Sequence, residues 1–389
     1  MKNKKIKFIS WITIFIFVLS LTTYVPVFAQ ENKLVSNNNA LIITNDIPED
    51  LEKYAFEIFP KHVTNMSKAP EKFGFNSKEI SYLYLGKPFN ISVYQNDDLL
   101  DNIIYYYPVI YKNTIKGFLI VGNDNGKYSS TFEKGFSEKV DNLIKNNNGK
   151  FSIVNIDNNL LAISSDESVL ISEDTINFNK VDKDKMLRVK NKLTKDKQNN
   201  SKFYDIMLTD ESTSSSLQNI TINSTYSTSS TSRLLNVPIV SQYSYDWCWA
   251  AVCASIINYK QSKFLTAGEV VTYVYGAPID KGGDWPEMKK AYNHWGLYPW
   301  EEGYLAYWAA KNCIDNGQPI HMRMKASLTE GHSMVLCGYE EFSSTSKLYT
   351  LIDPNKNYYV SVVAYDVGNN VSYLLNGKYW YWYYSVLGF

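Results

Sequence analysis

Cys248 stands between two tryptophans, in Trp247-Cys248-Trp249-Ala250-Ala251. Behind it, Val252, Ile256 and Tyr259 recur at spacings near four, so the cysteine opens a helix. A thiol there meets unpaired backbone N–H groups and the positive end of the helix dipole, and both favour the thiolate. Gln242 lies six residues upstream. A loop of that length can fold its amide back to donate to an oxyanion, beside the Cys248 N–H. A thiol nucleophile also needs a base, and the base needs an orienting group. Gly331-His332 leads into an apolar run, Ser333 to Tyr339. A second run, Lys347 to Ile352, ends at Asp353-Pro354-Asn355. If the two runs are neighbouring antiparallel strands, His332 meets Asp353, which would fix the imidazole tautomer.

Rival residues are weaker. A lone cysteine beside a tryptophan is ordinarily core; the surrounding set sets Cys248 apart. His294 sits within the helical pattern Trp285–Gly296, and His321 in an alternating apolar run. His62 reads as a surface residue. Asn355 and Asn357 remain alternatives to Asp353 as orienter. Cys253, Cys313 and Cys337 read as small buried hydrophobes. No histidine–cysteine spacing fits zinc, and no glycine-rich phosphate loop occurs, so no cofactor is expected.

Gln242, then Cys248-Trp249-Ala250, then Gly331-His332 before a strand and an acid after the next strand resemble the papain-like cysteine peptidases. The resemblance covers roughly 236–355, and within the clan it is closest to bacterial secreted papain-like and C39-like peptidases. Gly282-Gly283-Asp284-Trp285-Pro286 is similar to the family's glycine pair. The resemblance implies that Gly282 and Gly283 bind substrate backbone beside the S2 pocket. It also implies an α+β fold in two lobes, one helical and one β-rich, with the site between them. Two features depart from papain: an Asp at 353 where papain has an amide, and no later Asn-Ser-Trp motif.

Other elements must position these groups or precede them. Residues 1–29 read as a signal peptide. Lys2, Lys4, Lys5 and Lys7 precede an apolar stretch from Phe8, and Val27-Phe28-Ala29 fits a cleavage site. Secretion is therefore expected, with no stable membrane association after cleavage. Residues 30–180 read as a smaller α+β unit. It has a helix near Leu51–Ile58, a hairpin over Ile103–Val121, a second helix near Phe136–Ile144 and two short strands after it. Nothing in it suggests chemistry. By analogy with secreted papain-like peptidases it is a propeptide that inhibits the enzyme in cis, or else a permanent binding module. Residues 181–233 are lysine-rich, then rich in Ser, Thr and Asn, and read as a flexible linker open to processing. The catalytic unit spans 234–389. All tryptophans but Trp11 fall beyond residue 246, which sets this unit apart.

The chain has 389 residues, 45% of them hydrophobic, with a formal net charge of zero. That is enough for two domains and gives no electrostatic footprint for nucleic acid. The expected partner is a polypeptide substrate. A cysteine amidase acting on cell-wall peptides would use the same chemistry, though Trp-Cys-Trp differs from the usual cell-wall enzymes. A binding protein that kept the fold is opposed by the complete set Gln242, Cys248, His332 and Asp353.

Overall fold

Helix α1 (Glu49–Met66) begins with Glu49, Asp50 and Glu52 in its first turn, where acids favour the positive helix end. Leu51, Ala55, Ile58, Val63 and Met66 recur at helical spacing and are buried. This helix belongs to a computed structural model that describes residues 40–44, 46–172, 182–196, 202–207 and 230–389. The signal-peptide reading falls outside the described residues, as does much of the linker reading. The described residues form one compact unit.

The N-terminal strands are β1 (Leu41–Thr44), β2 (Tyr84–Leu85), β3 (Phe89–Gln95), β4 (Asp98–Tyr111), β5 (Thr114–Asp124), β6 (Lys127–Glu133), β7 (Lys150–Ile156), β8 (Asn159–Ile163), β9 (Ser168–Leu170) and β10 (Lys202–Tyr204), and α1 is joined among them by α2 (Ser137–Asn146) and α3 (Lys183–Asp196). Strands β4 and β5 form the long hairpin read from sequence. Lys112 and Asn113 at its tip both have left-handed φ, 47° and 58°, as a tight two-residue turn requires.

The C-terminal segment contributes β11 (Thr231–Leu234), α4 (Cys248–Gln261), α5 (Ala267–Tyr275), α6 (Trp285–His294), β12 (Trp300–Gly303), α7 (Tyr307–Asp315), β13 (Ile320–Lys325), β14 (Gly331–Ser343), β15 (Ser346–Ile352), β16 (Tyr359–Val363), β17 (Ser372–Leu375) and β18 (Lys378–Leu387). Its antiparallel sheet runs β12–β18–β13–β14–β15–β16, with β11 also on β14 and β17 also on β18. Strand β16 then pairs antiparallel with β6, Ser361 opposite Phe132 and Val362 opposite Thr131. The sheet therefore continues from the C-terminal segment into the N-terminal one, through β5, β4, β3, β7, β8 and β9.

The core crosses the same seam. One apolar cluster joins Leu51, Phe59 and Phe132 to Trp249, Leu348 and Tyr359. Polar side chains are buried there as partners: His62 bonds Ser130 Oγ at 2.7 Å and Ser361 Oγ at 2.9 Å, and Asn65 bonds Thr350 and Ser361. Lys68 pairs with the buried Glu340. His62 is thus fully buried, not on the surface.

The stretch 181–233 differs from the linker expected of it wherever it is described. It holds α3, whose Val189 and Leu193, one turn apart, are buried against Tyr94, Val154, Ile156 and Leu161. Lysines on the helix pair outward, Lys185 with Asp157 and Lys192 with Asp98. Strand β10 pairs with β1, and β11 joins β14 from Thr231, so sheet structure begins before residue 234. Among the described residues no helix is long and apolar enough to cross a membrane.

Candidate active site

Cys248 is the first residue of α4, and its backbone N–H has no partner one turn back within the helix. Trp249, Ala250, Ala251 and Val252 behind it are all buried, which anchors the helix end. Strand β14 begins at Gly331, so His332 enters at its start, and Asp353 follows the last residue of β15. The register pairs Val335 with Ile352. Extended by one step it sets Asp353 opposite Met334, which makes His332 a diagonal neighbour on the same face. His332 Nε2 lies 2.8 Å from Asp353 Oδ1. With Nε2 so engaged, Nδ1 is the ring nitrogen left for the thiol.

The electrostatics follow from this contact. Burial alone would raise the Cys248 thiol, but the hydrogen bond and charge of His332, the charge of Arg323 and the Ser333 N–H outweigh it and lower its pKa. Burial alone would lower His332, but Asp353 and Cys248 together push it up to about 10. Burial likewise opposes ionisation of Asp353, and His332, Lys356 and the Asn355 N–H hold it below the usual range. The other three thiols go the opposite way: burial pushes Cys253 up to about 12 and raises Cys313 and Cys337. All four cysteines are free, and Cys253 and Cys337 are buried while Cys313 is half-buried. The site therefore favours a thiolate–imidazolium pair at Cys248 and nowhere else among the cysteines.

Gln242 is buried, with its backbone N–H on Pro354 O, and its side-chain amide is committed. Nε2 donates to Ser244 O and to Tyr245 O, both at 3.0 Å, and Oε1 has no partner. An amide nitrogen has two hydrogens. Donation to an oxyanion thus requires Gln242 to release one of these loop carbonyls. Tyr243 between them has a left-handed φ of 55°, so the loop is held in a tight bend.

Gly283 packs under Trp249, where an added Cβ would lie 2.5 Å from the indole. Its carbonyl accepts from Arg323 Nη1 at 2.8 Å, and the Gly282 carbonyl accepts from Tyr275 at 2.5 Å. Gly282 has open space around it. Each carbonyl therefore already holds one bond before any peptide arrives. Asn355 and Asn357 are not on the imidazole. The Asn355 main chain donates to Asp353 Oδ1, and Asn357 Oδ1 accepts from Ser241. His321 is buried between Tyr292 and Ser333, and His294 stacks on Tyr273.

Sequence reading missed three neighbours. Arg323 is buried on β13, bonded to Gly283 and paired with Asp284 Oδ1 at 3.0 Å. Its one sequence signal is a charge inside the apolar run Ile320–Met324. Trp380 meets the His332 ring edge-on at 6.1 Å between centroids. It lies in β18, within the aromatic run Tyr379–Tyr384. The third is Tyr373, which bonds Asp353 Oδ2 at 2.9 Å.

Residues 231–368, less than half of the chain, match the peptidase C70 family, papain-like cysteine protease AvrRpt2. That segment is therefore similar to a papain-like cysteine peptidase sequence. A solved structure of a C39-like peptidase from Bacillus anthracis is similar at 13% identity and a TM-score of 0.26, over 35% of this chain and 99% of that one. A likeness that low carries no argument here. The comparison with curated proteins found no match.

Proposed function

We propose that the protein is a secreted cysteine endopeptidase that cuts peptide bonds through Cys248, His332 and Asp353. The observation that carries the reading is the buried contact of His332 with Asp353 beside a thiol whose pKa is lowered. The Cys248 thiolate attacks the scissile carbonyl carbon, and the oxyanion forms near the Cys248 N–H at the start of α4. The His332 imidazolium gives its proton to the leaving amine as the C–N bond breaks. The neutral imidazole then takes a proton from water, whose hydroxide attacks the thioester and releases the acid and the thiolate. Asp353 holds the ring through Nε2 throughout. In this reading α4 carries one lobe's contribution and β14–β15 the other's. Gln242 serves as the second oxyanion donor after exchange of a loop carbonyl, and Gly282 and Gly283 line the substrate side.

Secretion rests on the leader sequence. Synthesis as a proenzyme rests on the order of the segments, with an N-terminal unit that inhibits until cut away. The shared core and continuous sheet support the other fate drawn from sequence, an N-terminal unit that stays with the enzyme. The test of the peptidase reading is labelling of the full chain with a thiol-reactive peptidyl epoxide, followed by mass spectrometry. The adduct is expected on Cys248, and Cys248→Ala is expected to abolish hydrolysis with the fold intact. Undiminished hydrolysis by the folded Cys248→Ala protein would overturn the reading.

A further inference from the structure

We propose that Glu133, on β6 of the N-terminal segment, is a positioning residue for the catalytic triad: it holds Tyr373, and Tyr373 holds Asp353. The inference rests on the reading of Asp353 as the acid that orients His332. Tyr373 Oη lies 2.9 Å from Asp353 Oδ2 and 3.0 Å from Glu133 Oε2. All three residues are buried, at 0%, 0% and 1% exposure for Tyr373, Asp353 and Glu133. Neighbours from β6 fix the strand on both sides of the tyrosine. Ser372 Oγ bonds Ser129 Oγ at 2.7 Å, and the Leu374 N–H bonds Thr131 Oγ1 at 2.9 Å.

A count of hydrogens sets the roles. A phenol has one O–H, yet it faces two carboxyl groups. Asp353 faces His332, which holds it ionised, so Asp353 is the acceptor of the phenol proton. Tyr373 Oη also lies within hydrogen-bond reach of Glu133 Oε2, which fixes the phenol at a second point. The chain of contacts is then Glu133 to Tyr373, Tyr373 O–H to Asp353, and Asp353 to His332. Neither Glu133 nor Tyr373 falls within the matched residues 231–368. The N-terminal segment thus takes part in orienting the base.

The test measures kcat and KM on the full chain, normalised to thiols titrated by the epoxide probe. Tyr373→Phe keeps the ring and removes both bonds. It is expected to lower kcat about ten- to a hundredfold, the range for a lost hydrogen bond to a charged group, with KM unchanged. Glu133→Leu is expected to lower kcat in the same direction, and Glu133→Gln to recover most of that loss, because its amide still reaches the phenol oxygen. A purely structural role would lower the melting temperature and leave kcat per titrated thiol unchanged; that result with Tyr373→Phe overturns the proposal. Equal losses for Glu133→Gln and Glu133→Leu overturn it as well. Hydrolysis by Cys248→Ala, run alongside, is the separate result that strikes the triad beneath it.

Discussion

Both oxygens of Asp353 are engaged: Oδ1 accepts from His332 and from the Asn355 N–H, and Oδ2 accepts from Tyr373. Its charge and hydrogen bond, together with Cys248, keep His332 protonated up to about pH 10. The active thiolate–imidazolium pair exists above the lowered Cys248 pKa and below that of His332. The alkaline limb of kcat/KM is therefore expected near pH 10. Asp353→Asn removes the charge and should move that limb down toward the ordinary imidazole range of about 6.5. A limb that stays in place would separate Asp353 from the base. Asn355→Ala should be mild, since only its main chain touches Asp353. Gln242→Ala should lower kcat about a hundred- to a thousandfold with little change in KM, the range for one lost oxyanion donor. A change in KM alone would make Gln242 a substrate contact. Cys248, His332 and Asp353 were legible because each sits at the end of a local pattern: a helix start, a strand start and a strand end. Tyr373 and Glu133 were not. A tyrosine in an apolar strand and a glutamate at a strand end carry no local mark of a contact spanning 240 positions.

At the scale of elements, α1 does more than cover a sheet. It carries His62 and Asn65 into the seam between β6 and β16. His62 was unreadable from sequence because its serine partners lie 68 and 299 positions away. Burial, with Lys61 nearby, depresses its pKa to about 3, whereas the unfolded chain binds a proton near 6.5. Below about pH 6.5 the unfolded state therefore takes up the proton and the folded state does not. Stability is lost as pH falls toward 3. The urea midpoint of the full chain should drop between pH 7 and pH 5, and His62→Asn should show a shallower drop. Parallel slopes would mean that His62 is not buried neutral. Helix α3 escaped notice for a related reason. Its apolar face is Met186, Val189 and Leu193 amid lysines, and such a narrow stripe resembles a solvated charge run until a partner surface is known. The β4–β5 hairpin and α2 were legible because period and turn chemistry agree locally.

At the scale of the molecule, the division into a detachable unit and a catalytic unit reads well from composition and poorly from packing. Composition registers the tryptophans; it cannot register that Phe132 and Tyr359 share one core. A fragment of residues 231–389 would expose that core and leave His62, Asn65 and Lys68 missing from their partners. Such a fragment is expected to show no cooperative melt and no fixed aromatic circular dichroism, unlike the full chain. A cooperatively folded, active fragment would favour the removable propeptide. The pairing of β6 with β16 has one more consequence. An uncovered strand at the margin of a sheet offers its free amides and carbonyls to any other extended chain. Strand β6 leaves the ribosome well before β16, so the catalytic sheet meets a finished border as it forms. In a protein expected to handle extended polypeptides, that pairing covers the β16 edge with the protein's own chain and removes it as a template for aggregation.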